Sequence, residues 1–256
     1  MTTSLNYKSL GQGPPIIILH GLFGMLDNWQ TVARQLAKDY TVFLVDQRNH
    51  GRSPHLEEHS YLGMAEDLRQ FMEDQFVLES HILGHSMGGK TAMHFAFEYP
   101  DMVDKLIVVD IAPRTYPRGH DEIFKALFEL DLSVVKSRRD IDEQLGRYIS
   151  ETGVRQFLMK NIARDKEKGF QLRMNLPVIH KDYEGILQQP PEEAHFEGET
   201  LFIRGTKSSY IQADDLPLIQ QYFPQGQLAA VKDSGHWVHA EQPAKLLELV
   251  QNFLAV

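Results

Sequence analysis

The run Gly84-His85-Ser86-Met87-Gly88 has the residue types and spacing of an activated serine. Residues 80–83 before it read as a short buried strand, and residues 89–97 after it as a helix. A serine on a tight strand-to-helix turn is held in strained backbone geometry with its hydroxyl exposed at a sheet edge. The flanking glycines give that turn its room. The helix that follows brings its positive end and free N–H groups to the place where an oxyanion would form. As a bare spacing, Gly-x-Ser-x-Gly also occurs in loops without chemistry. The strand before and the helix after favour the nucleophile.

A serine hydroxyl needs a base to take its proton, and the base needs a carboxylate to orient it. In parallel sheets such groups sit where strands end at their carboxyl edge. The strand ends here are His20-Gly21, Asp46, Ser86, Asp110, Gly205 and the loop carrying His236. Of twelve histidines, His236 lies after the last strand and before the last helix, where a loop can swing an imidazole over the sheet edge. His239 is the rival base but lies closer to the helix. His20 reads as structural, shaping the loop beside Ser86, and His85 as packed or bonded locally. His55, His59, His120, His180 and His195 read as surface residues. No histidine pair has metal-ligand spacing on a helix, so neither a metal nor another cofactor is expected.

The elements that must position these groups alternate in type. Residues 5–10 read as an edge strand, and residues 16–19, 41–45, 80–83 and 106–109 as strands buried on both faces. Between them, one helix starts near Asn28 with Asp27 as its cap. A longer one, capped by Ser60, carries the stripe Met64, Leu68, Phe71, Met72 and Gln75/Phe76. This alternation predicts an α/β fold with a mostly parallel sheet and helices on both faces. The rhythm breaks over residues 114–190, where helical stretches near 121–130, 141–150 and 152–162 and no buried strand are expected. It returns with strands at 200–203 and 227–231 and helices at 213–222 and 242–253. The expected organisation is therefore a core of residues 1–113 and 191–256 with an inserted helical cap at 114–190.

Composition narrows the function. An apolar fraction of 42% over 256 residues supports a packed core, and no run approaches the length of a membrane span. The opening residues have neither the charged nor the apolar region of a secretory leader. The chain has no cysteine, which excludes disulfides and a thiol nucleophile and fits a cytoplasmic location. A net charge of −9 argues against nucleic-acid binding. Residues 114–190 hold 14 Lys and Arg against 12 Asp and Glu, and the remainder 12 against 23. That bias reads either as a solvated helical surface or as a face for an anionic substrate or carrier.

His20-Gly-Leu-Phe-Gly24, Asp46-x-Arg48-x-His50-Gly51-x-Ser53, Gly84-His-Ser-Met-Gly88 and Gly235-His236 together resemble the α/β-hydrolase superfamily, in its order and spacing over nearly the whole chain. The resemblance implies an acid after the strand ending at Ile203, in a Gly-x-x-Asp pattern. Here that stretch reads Gly205-Thr206-Lys207-Ser208. Asp214 and Asp215 come later and look like helix-start residues, and Asp46 has a structural explanation in the turn with Arg48. The superfamily's less common position lies one strand earlier, where Asp110 stands; a loop cap or salt bridge is its bland reading. With Asp110-Ile-Ala-Pro113 and His236-Trp-Val-His-Ala-Glu241, the chain is similar to the YbfF-type esterases, which implies short acyl esters and acyl-CoA thioesters as substrates.

The resemblance implies acyl transfer to water by Ser86, His236 and Asp110. The N–H groups of Leu22 and Met87 would hold the oxyanion, with Phe23, His20 and Trp237 against the substrate. A carrier-protein methyl esterase, a carbon–carbon bond hydrolase and a cofactor-free haloperoxidase remain open on the same fold. So does a ligand-binding receptor with a vestigial site.

Overall fold

The computed structural model describes residues 4–165, 167 and 169–255. Residues 1–3, part of the stretch read for a leader, lie outside the described residues. In chain order the strands are β1 (Tyr7–Leu10), β2 (Pro15–Leu19), β3 (Thr41–Val45), β4 (Ser80–His85), β5 (Val103–Val109), β6 (Ile162–Asp165), β7 (Gly169–Leu172), β8 (Thr200–Gly205) and β9 (Gly226–Val231). The helices are α1 (Gln30–Leu36), α2 (Tyr61–Asp74), α3 (Met87–Glu98), α4 (Asp121–Phe128), α5 (Arg138–Leu145), α6 (Thr152–Met159), α7 (Leu176–Lys181), α8 (Tyr183–Leu187), α9 (Leu216–Tyr222), α10 (Val238–Glu241) and α11 (Pro243–Leu254). No described helix is long and apolar enough to cross a membrane.

Seven strands form one sheet in the order β1-β3-β2-β4-β5-β8-β9. The edge strand β1 is antiparallel to β3, and every other pairing in that sheet is parallel. Successive strand side chains point to opposite faces. Ile17, Leu19, Ile82, Val108 and Phe202 therefore pack on one side with residues of α2, α3 and α9. Ile16, Ile18, Leu83, Val109 and Ile203 pack on the other with α1 and α11. The β-branched runs of the sequence are thus covered on both faces, and every parallel strand delivers its carboxyl end to the same edge.

Local details depart from the sequence reading. The helix expected near Asn28 begins as a 3₁₀ turn, Leu26–Trp29, with Met25 rather than Asp27 at its cap. The α2 stripe is buried from Met64 to Met72, but the helix stops at Asp74. Phe76 then adopts a left-handed φ of 57° and is 91% exposed, so it is no part of the stripe. Between Arg114 and Pro190 the helices α4 to α8 are joined by an antiparallel pair, β6–β7, whose partial burial leaves no apolar run in the sequence. A third core joins this segment to the sheet edge: Phe23, Tyr61, Met64 and Met87 pack with Phe124, Leu158, Ile179 and Tyr183.

Candidate active site

Ser86 sits between β4 and α3 with φ 53° and ψ −119°, a conformation that a non-glycine residue rarely adopts. Close packing enforces it. A Cβ on Gly84 would lie 2.2 Å from the Gly88 carbonyl oxygen, and one on Gly88 would lie 2.5 Å from the carbonyl oxygens of Leu19 and His20. The Ser86 N–H donates to the Val109 carbonyl at 3.0 Å, and the Lys90 N–H donates to the Ser86 carbonyl at 3.1 Å. Met87 opens α3, so its N–H belongs to the group of helix-start donors that lack an intrahelical partner.

His236 Nε2 lies 2.9 Å from Ser86 Oγ, and His236 Nδ1 lies 2.8 Å from Asp110 Oδ2. With Nδ1 protonated, the ring donates to the carboxylate and its free Nε2 faces the serine hydroxyl. Asp110 is fully buried and follows β5 with a φ of 53°. A buried carboxylate requires several donors. Besides His236, Gly205 N–H donates to Oδ1 at 2.9 Å, and the Ser208 hydroxyl donates to Oδ2. The structure thus brings Ser86, His236 and Asp110 into one line.

The loop between β9 and α10 carries His236. The Gly235 N–H donates to Glu241 Oε2 at 2.7 Å, and the Tyr210 ring stacks on the imidazole with centroids 3.9 Å apart. His85 is packed, as expected, with its ring against Trp29, His236 and His239, but its hydrogen bond is not local. Its Nε2 donates to the His236 carbonyl at 2.8 Å, 151 positions along the chain. His239 is buried in a stack on Trp29, and burial pushes its pKa down to about 3.

His20, Phe23 and Trp237 line a recess of about 40 Å³ together with Ser86. His20 accepts from the Gln47 N–H at 3.1 Å and donates to the Gly21 carbonyl at 2.8 Å, so both its nitrogens are engaged within the chain. Asp46 is structural, but not through Arg48. Its carboxylate accepts from the N–H groups of Leu26 and Arg52 and from the Asn6 amide. Arg48 pairs instead with Asp67. Asp215 accepts from the Gln212 N–H and pairs with Arg114, as a residue at a helix start does. His59 is buried rather than superficial, and burial pushes it down to about 3.

A larger cavity, about 540 Å³, opens on the other side of Ser86. Tyr61, Tyr116, Tyr183, Ile186 and Leu187 make much of its wall apolar, and Lys90, Arg114 and Arg118 also reach it. Lys90 is 1% exposed. Its Nζ donates to the carbonyls of Arg114 (2.9 Å), Leu187 (3.2 Å) and Gln188 (2.5 Å), and lies 5.0 Å from the Tyr116 ring centre. Burial lowers its pKa to about 7. The sequence reading missed Lys90, Tyr210 and Ser208. A lysine among Gly89, Thr91 and Ala92 was a visible signal for the first, whereas Tyr210 lies in a loop with no pattern. Among the described residues no group of three His, Cys, Asp or Glu side chains is arranged to hold a metal.

Comparison with known proteins shows the family. The family model described as the α/β hydrolase fold matches residues 14–243. An sn-1-specific diacylglycerol lipase of Mus musculus, ABHD11, is 38% identical over 250 residues, covering 94% of this chain and 81% of the relative. Esterase YbfF of Escherichia coli K12 is 36% identical over 243 residues, covering 94% and 92%. A solved marine microorganism esterase superposes with a TM-score of 0.95 at 41% identity, covering 98% and 99% of the two chains. The chain belongs to the α/β-hydrolase family and is an enzyme of the carboxylic-ester hydrolase type.

Proposed function

We propose that the chain hydrolyses carboxylic esters through an acyl-enzyme on Ser86, with His236 as base and Asp110 as the group that orients it. The observation that carries this reading is the line from Asp110 Oδ2 through His236 to Ser86 Oγ, with steps of 2.8 and 2.9 Å. His236 Nε2 takes the hydroxyl proton as Oγ attacks the carbonyl carbon. The N–H groups of Leu22 and Met87 stabilise the oxyanion. Collapse breaks the bond to the leaving oxygen, which takes the proton from His236. Water then gives a proton to His236 and attacks the acyl carbon, and the carboxylic acid leaves as the proton returns to Ser86. Ser86→Ala is expected to lower hydrolysis of p-nitrophenyl acetate by several orders of magnitude. Wild-type activity in that variant would overturn the assignment. A fluorophosphonate probe separates this reading from a receptor with a dead site, which would not label Ser86.

The large cavity favours acyl groups beyond acetyl. Its volume of about 540 Å³ and its Tyr61, Ile186 and Leu187 wall suit an alkyl chain, in keeping with relatives named as lipases. Acyl-CoA thioesters are a further proposed class. Arg114 and Arg118 reach the same cavity, the first paired with Asp215 and the second with Asp121 and Glu184, so a CoA phosphate would compete with those carboxylates for them. A salt-sensitive KM for an acyl-CoA, unmatched by a neutral ester, is the expected outcome. An equal salt response would remove the thioester reading.

A further inference from the structure

The loop from His20 to Gly24 carries a conformation that its sequence alone does not favour. Phe23 has a φ of 59°, although Gly21 and Gly24 stand beside it. A bulky residue in the left-handed region is sparsely populated and persists where its surroundings over-determine it. At Phe23 the surroundings do so from both sides of the residue. Its N–H donates to His50 Nε2 at 3.3 Å, and its carbonyl accepts from the amide of Asn161. Its ring is buried edge-on to Phe124 at 5.1 Å.

Asn161 comes from a distant part of the chain, between α6 and β6, 138 positions from Phe23. It is fully buried. Its own backbone is fixed by a bond from its N–H to the Leu158 carbonyl at 3.0 Å and by a bond from the Arg173 N–H to its carbonyl at 2.7 Å. The amide oxygen has no hydrogen-bond partner among the described residues. Burying an unsatisfied acceptor is unfavourable, so the bond that the side chain donates to Phe23 has to offset that cost. The second clamp on Phe23 is tied to the same segment. His50 forms a bridge with Met174, and the Asn175 N–H donates to the Asn49 carbonyl at 2.9 Å.

We propose that Asn161 is a positioning residue. By holding the Phe23 carbonyl it fixes the peptide planes that aim the Leu22 N–H at the oxyanion, so the seating of residues 161–175 sets the alignment of the oxyanion loop. The inference rests on the reading of Ser86 as nucleophile and Leu22 as oxyanion donor. It predicts a defect confined to steps that build negative charge on the carbonyl oxygen.

The test uses Asn161→Ala and the near-isosteric, donor-free Asn161→Leu, assayed on p-nitrophenyl acetate and with a fluorophosphonate. Loss of one oxyanion donor costs about 100- to 1,000-fold in kcat, so a misaligned donor is expected to cost roughly 10- to 100-fold. KM should stay within about twofold, and the labelling rate should fall in parallel with kcat. If Asn161→Ala fails to fold, Asn161→Leu keeps roughly the volume, adds no charge and removes the donor. A folded Asn161→Leu protein with wild-type kcat overturns the proposal. So does a variant whose KM rises while kcat holds, because that describes a pocket wall and not an oxyanion loop. Ser86→Ala run beside them separates the two readings. An active Ser86→Ala protein removes the nucleophile assignment itself, whereas an inactive one beside fully active Asn161 variants removes only the inference on Asn161.

Discussion

The Ser208 hydroxyl donates to Asp110 Oδ2, the same carboxylate oxygen that faces His236 Nδ1. The position where the superfamily resemblance implies the acid therefore holds a side chain bonded to the carboxylate that follows the adjacent strand. β5 and β8 are neighbours in parallel register, so groups just beyond their ends meet at one imidazole. Asp110→Asn is expected to lower kcat by about 10⁴-fold, as loss of the orienting carboxylate does elsewhere. Asp214→Asn should leave it near wild type. The double variant Asp110→Asn with Ser208→Asp returns a carboxylate to the same place and should recover part of the loss. A larger loss from Asp214→Asn in the same p-nitrophenyl assay would reverse the choice of acid.

Lys90 gives a pH signature to stability. Burial holds its pKa near 7 in the folded chain, whereas an unfolded lysine titrates near about 10.4. Between those values the unfolded chain binds a proton that the folded chain has released, so stability rises with pH across that window. Below about 7 both states are protonated and the contribution is flat. Lys90→Met should abolish this slope. Urea unfolding of both proteins from pH 6 to 10 measures the difference, in which all other titrating groups largely cancel. Parallel curves would show that Lys90 keeps an ordinary affinity for its proton.

Ile186 lines the large cavity and is only 6% exposed. Ile186→Trp should fill space needed by a longer acyl group while leaving an acetyl group untouched. The expected result is a loss of roughly tenfold in kcat/KM for p-nitrophenyl octanoate, in the range that small pocket changes produce, with acetate within about twofold. A graded ester series measures the split. An equal loss for both esters would mean that the acyl chain lies elsewhere.

The elbow tolerates no side chain at Gly84, because a Cβ there meets backbone and not a flexible side chain. Gly84→Ala is expected to destabilise the fold by about 1–3 kcal/mol or more. The turn at Ser86 would shift with it, so activity should fall even at temperatures where circular dichroism shows the variant folded. Normal kcat in a folded Gly84→Ala protein would separate the strained turn from catalysis.

The sheet and the positions of Ser86 and His236 were legible because short β-branched runs and strand-end motifs are local signals. The choice of Asp110 required the resemblance, since it looks from sequence like any loop aspartate until Gly205 and Ser208 are brought beside it. The antiparallel pair β6–β7 escaped notice because only Ile162 and Phe170 within it are buried, too few for a period. Lys90 and Asn161 act through bonds that span from 24 to 138 positions, which no window along the chain contains. Phe76 misled because its spacing continues the α2 stripe while its backbone leaves the helix.

Both ends of the segment after β5 close on one ammonium group. The carbonyls of Arg114 and Gln188 accept from the same Lys90 Nζ, although the chain travels 74 residues between them. A detour that starts and finishes at one point leaves the sheet indifferent to its length. Chain added or removed between those anchors is therefore expected to leave the register of the parallel strands as it is. The helix that follows Ser86 thus carries the fixture for that detour, and a differently shaped segment mounted on it would still need the Asn161 amide on the Phe23 carbonyl to keep the loop beside Ser86 in place.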